Sequence, residues 1–579
     1  MTTKLADHIL IRDPLLRWVF VTALAVSFAI FYWLIYLRQR ALDISFESIF
    51  NGLFLFYDYP LIIAQIVLLV LALLPWIRSG AFRCVEFIGS HVGVVAVVYL
   101  IVLACGSLLV YRMHPLSMDE YAPVFQSKIF AAGELTGKFP VQLVDWLVPG
   151  GFQGNFFKVS PIDGRVASAY WPGFALLLTP FTVLGIPWMC NPVVGAASVL
   201  MIHRLALKLF GKPSAAGLAV LLAVAAPAFT IDAISFYSMS AHLLFNGCFT
   251  LLLLELTPRR AFAAGMLGSL ALCLHNPLPH MLFAAPWLIW LMVDRQRRRI
   301  LPALVAGYVP LIIVLGIGWW LLLQGLVRNP DSTAVISVGQ AATVFTMPSL
   351  GLLYARLVGL AKLWIWAVPA VIPLAVAGYM RCRDNTYVRL LAWSAALTFL
   401  GYLFVPFDQG HGWGFRYFHS VWFVIPLFAA ATFAVGDTAT NSADDKYWGA
   451  TGYSAACAVL SLVLLLPLSA LGVQRFISLH LAQSPVARVP SVVILRPGSG
   501  YYAVDLVQND PFLRDPVVRL QTRGRQLDQQ MMSQNFSGYI AIESDAKGSV
   551  WVPRATAPDS SIAGEAAAIK NHIEKKGTE

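Results

Sequence analysis

Residues 91–121 read HVGVVAVVYLIVLACGSLLVYRMHPLSMDEY. The first stretch, 91–111, carries no Asp, Glu, Lys or Arg and is about 20 residues long, enough for a helix to cross roughly 30 Å of hydrocarbon. Just past its end stand two adjacent carboxylates, Asp119 and Glu120. Apolar runs of the same kind recur at 14–37, 53–77, 301–324 and 447–470. Of the 579 residues, 58% are hydrophobic and 12% charged, where a soluble globular chain carries about 25% charge. Lipid is therefore the solvent, and backbone groups in lipid are satisfied within helices. The alternation of an outer-membrane barrel is absent. The expected fold class is an all-α polytopic membrane protein with a small C-terminal α/β domain.

Basic runs order the topology, because Lys and Arg concentrate in cytoplasmic loops. Lys4, Arg12 and Arg17 precede the first span, and Arg78, Arg83, Arg204, Lys208, Lys212, Arg259, Arg260, Arg295 to Arg299 and Arg381 to Arg389 follow others. All face one side if thirteen spans cross at 14–37, 53–77, 91–111, 190–210, 214–230, 238–257, 261–275, 279–293, 301–324, 355–380, 387–405, 416–436 and 447–470. The N-terminus is then cytoplasmic and the C-terminus extracytoplasmic. Residues 172–187 are left over as a juxtamembrane or re-entrant helix, since a full crossing would move every later basic run to the wrong face. The first span is too long for the apolar core of a cleavable signal and no small-residue cleavage site precedes Arg38. The net charge of +11 is accounted for by loops, without nucleic-acid binding. The seven cysteines form no CxxC pair and lie in or beside apolar segments, so neither a disulfide framework nor a cysteine metal site is expected.

The domain organisation expected is two leading helices over 1–90, a membrane region over 91–473 with an outer loop at 112–171, and a C-terminal domain over 474–579. In that domain 491–495 and 539–543 have strand patterns and 526–534 a helical one. The outer side collects the loop 112–171, the turn 275–280, the loop 325–354 with Arg328, Asn329 and Asp331, and the turn 406–416.

Met118-Asp119-Glu120-Tyr121 is the leading chemical signal. Paired carboxylates beside hydrocarbon are costly unless they meet water, a cation or a metal. One can act as general base on a hydroxyl while the other orients the acceptor or holds a cation. Ser117-x-x-Glu120 also fits a capping box at the start of an amphipathic helix. The second signal is Phe407-Asp408-Gln-Gly-His411-Gly-Trp-Gly-Phe-Arg416-Tyr417-Phe418-His419. Its glycines allow close backbone approach to a ligand, and an arginine opening an outer span can grip a phosphate bidentately or snorkel in an aromatic belt. Asp408, His411, Trp171 and Asn276 are candidates for lining a substrate pocket, and Lys158 and Tyr417 for assisting Arg416 at phosphate. His275 and His280, in Leu274-His-Asn-Pro-Leu-Pro-His280, are candidates for a divalent metal ion or for interfacial histidines bonded to free carbonyls. No Gly-rich phosphate loop or Rossmann unit is present.

Asp119-Glu120-Tyr121-Ala122, followed by Phe125-Gln126-x-Lys128-x-Phe130-Ala131-Ala132-Gly133-Glu134-Leu135, resembles the first outer loop of GT-C glycosyltransferases, above all glycosyltransferase family 39, the protein O-mannosyltransferases and the aminoarabinose transferases that modify lipid A. Tyr170-Trp171-Pro172-Gly173 resembles that family's proline-led returning helix, and the turn ending in Arg416-Tyr417 its later arginine-bearing turn. The resemblance spans the third span to about residue 435. It implies a membrane glycosyltransferase of the bacterial inner membrane, a polyprenyl-phosphate sugar donor, an acceptor hydroxyl on a glycan, lipid or protein, inversion at the sugar carbon, and Asp119 as base. The chain departs from the aminoarabinose transferases where they carry Glu-Lys-Pro, having Tyr170-Trp171-Pro172 instead. The family's second acid is thus unassigned, with Glu120 and Asp163 as candidates. A transporter or lipid flippase is the rival reading. It predicts mid-span ionisable residues and repeat symmetry, whereas the acids here gather in loops.

Overall fold

The computed structural model describes residues 13–41, 52–327, 347–406, 411–433, 449–496 and 503–556. Among them, six helical stretches are long and apolar enough to cross a membrane: Pro14–Arg40, Leu53–Leu71, Val92–Leu109, Pro187–Phe210, Arg297–Leu326 and Ala450–Leu481. Gly173–Val183, Pro213–Val224, Met239–Leu253, Leu278–Val293 and Val371–Cys382 are shorter apolar helices. Side chains such as Val98, Ile101, Leu109, Val314 and Leu321 remain exposed, as expected of surfaces that face acyl chains. The protein is a multi-pass integral membrane protein, mostly helical, with a small sheet-containing C-terminal region.

Among the described residues several of the thirteen expected spans are interrupted, and proline accounts for most of the differences. The expected span 53–77 stops at Leu71, and a separate helix, Pro75–Ser90, starts on Pro75 after an extended Leu74. Proline is favoured at such a first position because its missing N–H is not needed there. Residues 214–230 divide into Pro213–Val224 and Pro227–Asp232 for the same reason. The stretch 355–380 breaks into Leu350–Ile365 and Val371–Cys382 around Pro369 and a left-handed Ala370 (φ 67°). Residues 416–436 give only Arg416–His419 and Val424–Ala431 among the described residues. Helix Gly173–Val183 is 11 residues long, about 16 Å, roughly half a bilayer core. Three π-helical segments, Leu53–Tyr57, Ile312–Gly318 and Ser461–Leu465, lie next to Pro60, Pro310 and Pro467, the local adjustment by which membrane helices re-satisfy backbone freed by proline.

Two compact units result: Met1–Gly133 with Ser168–Ile477, and Glu134–Ala167 with Ser478–Glu579. In the first, an intramembrane ion pair joins the leading helices to the helix Leu350–Ile365. Lys362 binds the Asp58 carboxylate, both side chains being fully buried. Trp366 Nε1 donates to the other Asp58 oxygen at 2.8 Å. Gln65 Nε2 donates to the carbonyls of Trp364, Ile365 and Ala367, so the backbone groups released at the helix break are satisfied by a side chain.

In the second unit, a four-stranded sheet has the order Val517–Gln521, Ser491–Leu495, Gly548–Pro553, Tyr539–Ser544. The first pair is parallel and the others antiparallel. Val493, Leu495, Leu506 and Val507 form its core, and the helix Arg525–Asn535 follows the strand Val517–Gln521. The loop residues 134–167 belong here. Gly137–Lys138 pairs with Arg165–Ser168, Lys138 N donates to Pro511 O, and Trp146 Nε1 to Asp528 Oδ1 at 3.0 Å.

Candidate active site

Asp119 lies in the first turn of the helix Met118–Ala131, which starts where extended Ser117 (φ −134°, ψ 167°) gives way to helical backbone. The expected capping box does not form. The Ser117 hydroxyl makes no cap bond and meets the Tyr237 hydroxyl at 3.1 Å instead. Glu120 turns into the protein, fully buried. Its Oε1 accepts from Tyr111 OH and Phe236 N, each at 2.9 Å, and its Oε2 from Leu116 N at 2.7 Å. Burial pushes this carboxyl up to about 7, against the pull of the three donors and of Arg416. Expected as a catalytic partner of Asp119, Glu120 instead ties the helix to the chain on either side, because its neighbours occupy both oxygens.

Asp119 faces the other way, with its side chain 21% exposed. Oδ1 accepts a short hydrogen bond from Tyr170 OH. Oδ2 meets Arg416 Nη1 at 3.4 Å across 297 residues of sequence. An unstrained charge-assisted bond is ~2.8 Å, so this contact is loose. The Arg416 guanidinium lies 4.3 Å from the centroid of the Tyr237 ring.

Arg416 is delivered by a short hairpin in which His411–Gly412 pairs with Gly414–Phe415. Gly414 sits at φ +78°, where a β-carbon would come within 3.2 Å of Ala228 and 3.5 Å of Trp366, a backbone state that a side chain would strain. Of the glycine-rich turn, then, at least this residue serves packing. One turn beyond Arg416, His419 Nδ1 lies 2.9 Å from Asp232 Oδ2, both side chains buried. Tyr417 turns towards Tyr402, stacked at 4.4 Å, beneath the buried Arg356, whose guanidinium is 4.9 Å from its ring.

Tyr170 is positioned by the returning segment. Trp171 N donates to His275 O, Gly173 N to Cys273 O and Phe174 N to Leu274 O. A β-carbon on Gly173 would come within 2.6 Å of Cys273 O, so this approach needs glycine. The Tyr170 ring packs on the His275 ring at 3.9 Å, and Trp319 Nε1 donates to Tyr170 O at 2.8 Å. The Trp171 ring lies against Gly316, in the π-helical segment.

The other sequence candidates are dispersed. Asn276 Oδ1 accepts from Leu278 N at 3.1 Å, capping its own turn. Both ring nitrogens of His280 are engaged, by Asn246 Oδ1 and Tyr308 OH at 2.7 Å each. That leaves His280 as a buried structural histidine, and among the described residues no group of three or more His, Cys, Asp or Glu could hold a metal ion. Lys158 belongs to the second unit and donates to Gly154 O at 2.8 Å. Asp163, also there, pairs with Arg165 at 2.7 Å. Asp408, Arg328, Asn329 and Asp331 lie outside the described residues, as does the His411 side chain. Tyr111, Tyr237 and Asp232 were not singled out from sequence. Tyr170 was marked by its place just before the proline-led helix, and His419 by closing the glycine-rich motif.

No protein-family model and no curated protein matches the chain. Solved structures do match. The crystal structure of ArnT from Cupriavidus metallidurans bound to undecaprenyl phosphate is 13% identical, with a TM-score of 0.50, and the match covers 81% of this chain and all of that one. The same protein in the apo state is 14% identical at a TM-score of 0.47, with the same coverage. At such identity the likeness is one of fold: the chain is built like ArnT, an aminoarabinose–lipid A transferase of the GT-C type, as the loop motifs around Asp119 led one to expect.

Proposed function

We propose that this protein is a membrane glycosyltransferase that moves a sugar from a polyprenyl-phosphate donor to an acceptor hydroxyl on the extracytoplasmic face of the bacterial inner membrane. The observation that carries the proposal is the meeting of Asp119 and Arg416 at 3.4 Å, a general base beside a phosphate-binding cation, in a fold like that of ArnT, which has been crystallised with undecaprenyl phosphate.

The donor enters from the outer leaflet and its phosphate takes the guanidinium from Asp119, since a planar fork matches two phosphate oxygens better than one oxygen at 3.4 Å. Oδ2 is thereby released, while Tyr170 holds Oδ1 and fixes the carboxylate plane. The acceptor oxygen attacks the anomeric carbon, Asp119 Oδ2 takes its proton, and the bond from that carbon to the phosphate oxygen breaks with inversion. The leaving polyprenyl phosphate carries one more negative charge than it had as a diester, and Arg416 neutralises it in place. The acceptor is a hydroxyl of a glycan, lipid or protein.

Purified protein reconstituted with a polyprenyl-phosphate sugar and a panel of acceptors tests this directly. Sugar transfer that releases polyprenyl phosphate is the expected result. Translocation of the lipid without cleavage of the sugar–phosphate bond would replace the proposal with a flippase.

A further inference from the structure

The two working groups, Asp119 and Arg416, come from distant parts of the chain, and their direct contact is the one that donor binding must break. Something else has to keep the distance between them. The turn that joins the helices Pro227–Asp232 and Met239–Leu253 is unusually well held. Ser235 Oγ donates to Asp232 O at 2.8 Å and Tyr237 N to Ser235 Oγ at 3.1 Å. Asn191 Nδ2 donates to the carbonyls of Ser235 and Tyr237, each at 2.8 Å. Ser107 Oγ donates to Ile234 O at 3.1 Å, and Phe236 N to Glu120 Oε1 at 2.9 Å. A turn pinned by three other helices is a rigid mount.

The side chain it presents is Tyr237, 9% exposed. Its hydroxyl meets Ser117 Oγ at 3.1 Å, two residues before Asp119. Its ring carries the Arg416 guanidinium at 4.3 Å, an attraction that strengthens where water is excluded. One side chain thus touches the base's helix with its tip and the phosphate-binding cation with its face.

We infer that Tyr237 is a positioning residue that retains Arg416 on its ring once the guanidinium has left Asp119, so that the donor phosphate is held at a set distance from the base. The inference rests on the assignment of Asp119 and Arg416 above. The two ends of the side chain have separable effects. Tyr237→Phe keeps the ring and loses the hydroxyl, so the donor KM stays within about twofold of wild type while kcat falls several-fold as the start of the Asp119 helix loosens. Tyr237→Leu loses the ring, so the donor KM rises about tenfold.

The experiment is steady-state transfer by reconstituted full-length protein, with donor and acceptor varied separately. Direct binding of polyprenyl phosphate is measured alongside on each variant, and Tyr237→Met is a second ringless variant should Leu fail to fold. Weakened polyprenyl-phosphate binding in the ringless variants alone supports the inference. Wild-type binding and donor KM in a ringless variant would overturn it, as would equal losses in the Phe and Leu variants. Asp119→Asn separates the levels. If it transfers sugar normally, the underlying assignment falls. If it is inactive while Tyr237→Leu is normal, only the role of Tyr237 falls.

Discussion

Replacing Asp119 with Asn removes a proton acceptor while leaving the shape of the side chain intact. The amide oxygen can still accept from Tyr170 OH as Oδ1 does now. The amide nitrogen would face Arg416, so the interaction lost from the resting structure is a single 3.4 Å contact between groups 9% and 21% exposed. Longer than ideal, that contact is weaker than a tight buried pair, but its loss takes a counter-charge from the buried Arg416 and costs on the order of 1–3 kcal/mol. Loss of a general base is larger, typically 10²–10⁴ in rate, or about 3–5 kcal/mol of transition-state stabilisation. The expected variant is therefore folded, melts within a few degrees of wild type, binds polyprenyl phosphate at least as well because Arg416 has lost its competitor, and transfers sugar at least a hundredfold more slowly. Single-turnover transfer from radiolabelled donor, next to a thermal melt in the same detergent, reads both quantities. A folded Asp119→Asn protein within tenfold of wild-type kcat would refute the assignment of the base.

Arg416→Lys keeps the charge but loses the fork, and donor affinity should drop on the order of tenfold or more with acceptor KM unchanged, read by varying each substrate separately. Glu120 gives a pH signature. Its carboxyl is raised from 4.5 to about 7, so between those values the folded chain keeps a proton that the unfolded chain gives up. The stability due to Glu120 is complete below about pH 4.5 and lost as pH rises to about 7, by up to ~3 kcal/mol. Glu120→Gln should flatten this part of the melting-temperature profile between about pH 4.5 and 7, and an unchanged slope would contradict the burial argument. For the Asp58–Lys362 pair, Asp58→Asn alone should cost roughly 3–5 kcal/mol by stranding a buried ammonium, and adding Lys362→Met should restore much of it, measured as the melting shift of the single and double variants.

The sequence made the helical membrane class and the acid at 119 legible because both depend on local facts: a long uncharged run, and carboxylates where hydrocarbon ends. Arg416 was legible because glycines and an arginine opening an apolar run are unusual together. The breaks at 72–74, 225–226 and 366–370 were visible as prolines, yet hydropathy averages across a proline and counts one span where two helices form. The capping box at Ser117 and Glu120 failed because tertiary partners, Tyr237 for one and Tyr111 and Phe236 for the other, displaced a local interaction of similar strength. Tyr237 had no signal at all. It is an uncharged residue between two apolar helices, and its importance comes from Ser117 lying 120 residues before it and Arg416 long after. The Asp58–Lys362 pair was hidden for the same reason: both charges fall inside expected spans, 53–77 and 355–380, against the expectation that the acids gather in loops, and 304 residues separate the partners.

The most direct test of the central claim is a structure of the protein with polyprenyl phosphate bound in lipid nanodiscs. Phosphate oxygens are expected at ~2.8 Å from the Arg416 guanidinium, with that guanidinium moved off Asp119 Oδ2 and still over Tyr237. A phosphate held elsewhere, with the Asp119–Arg416 contact unchanged, would contradict it.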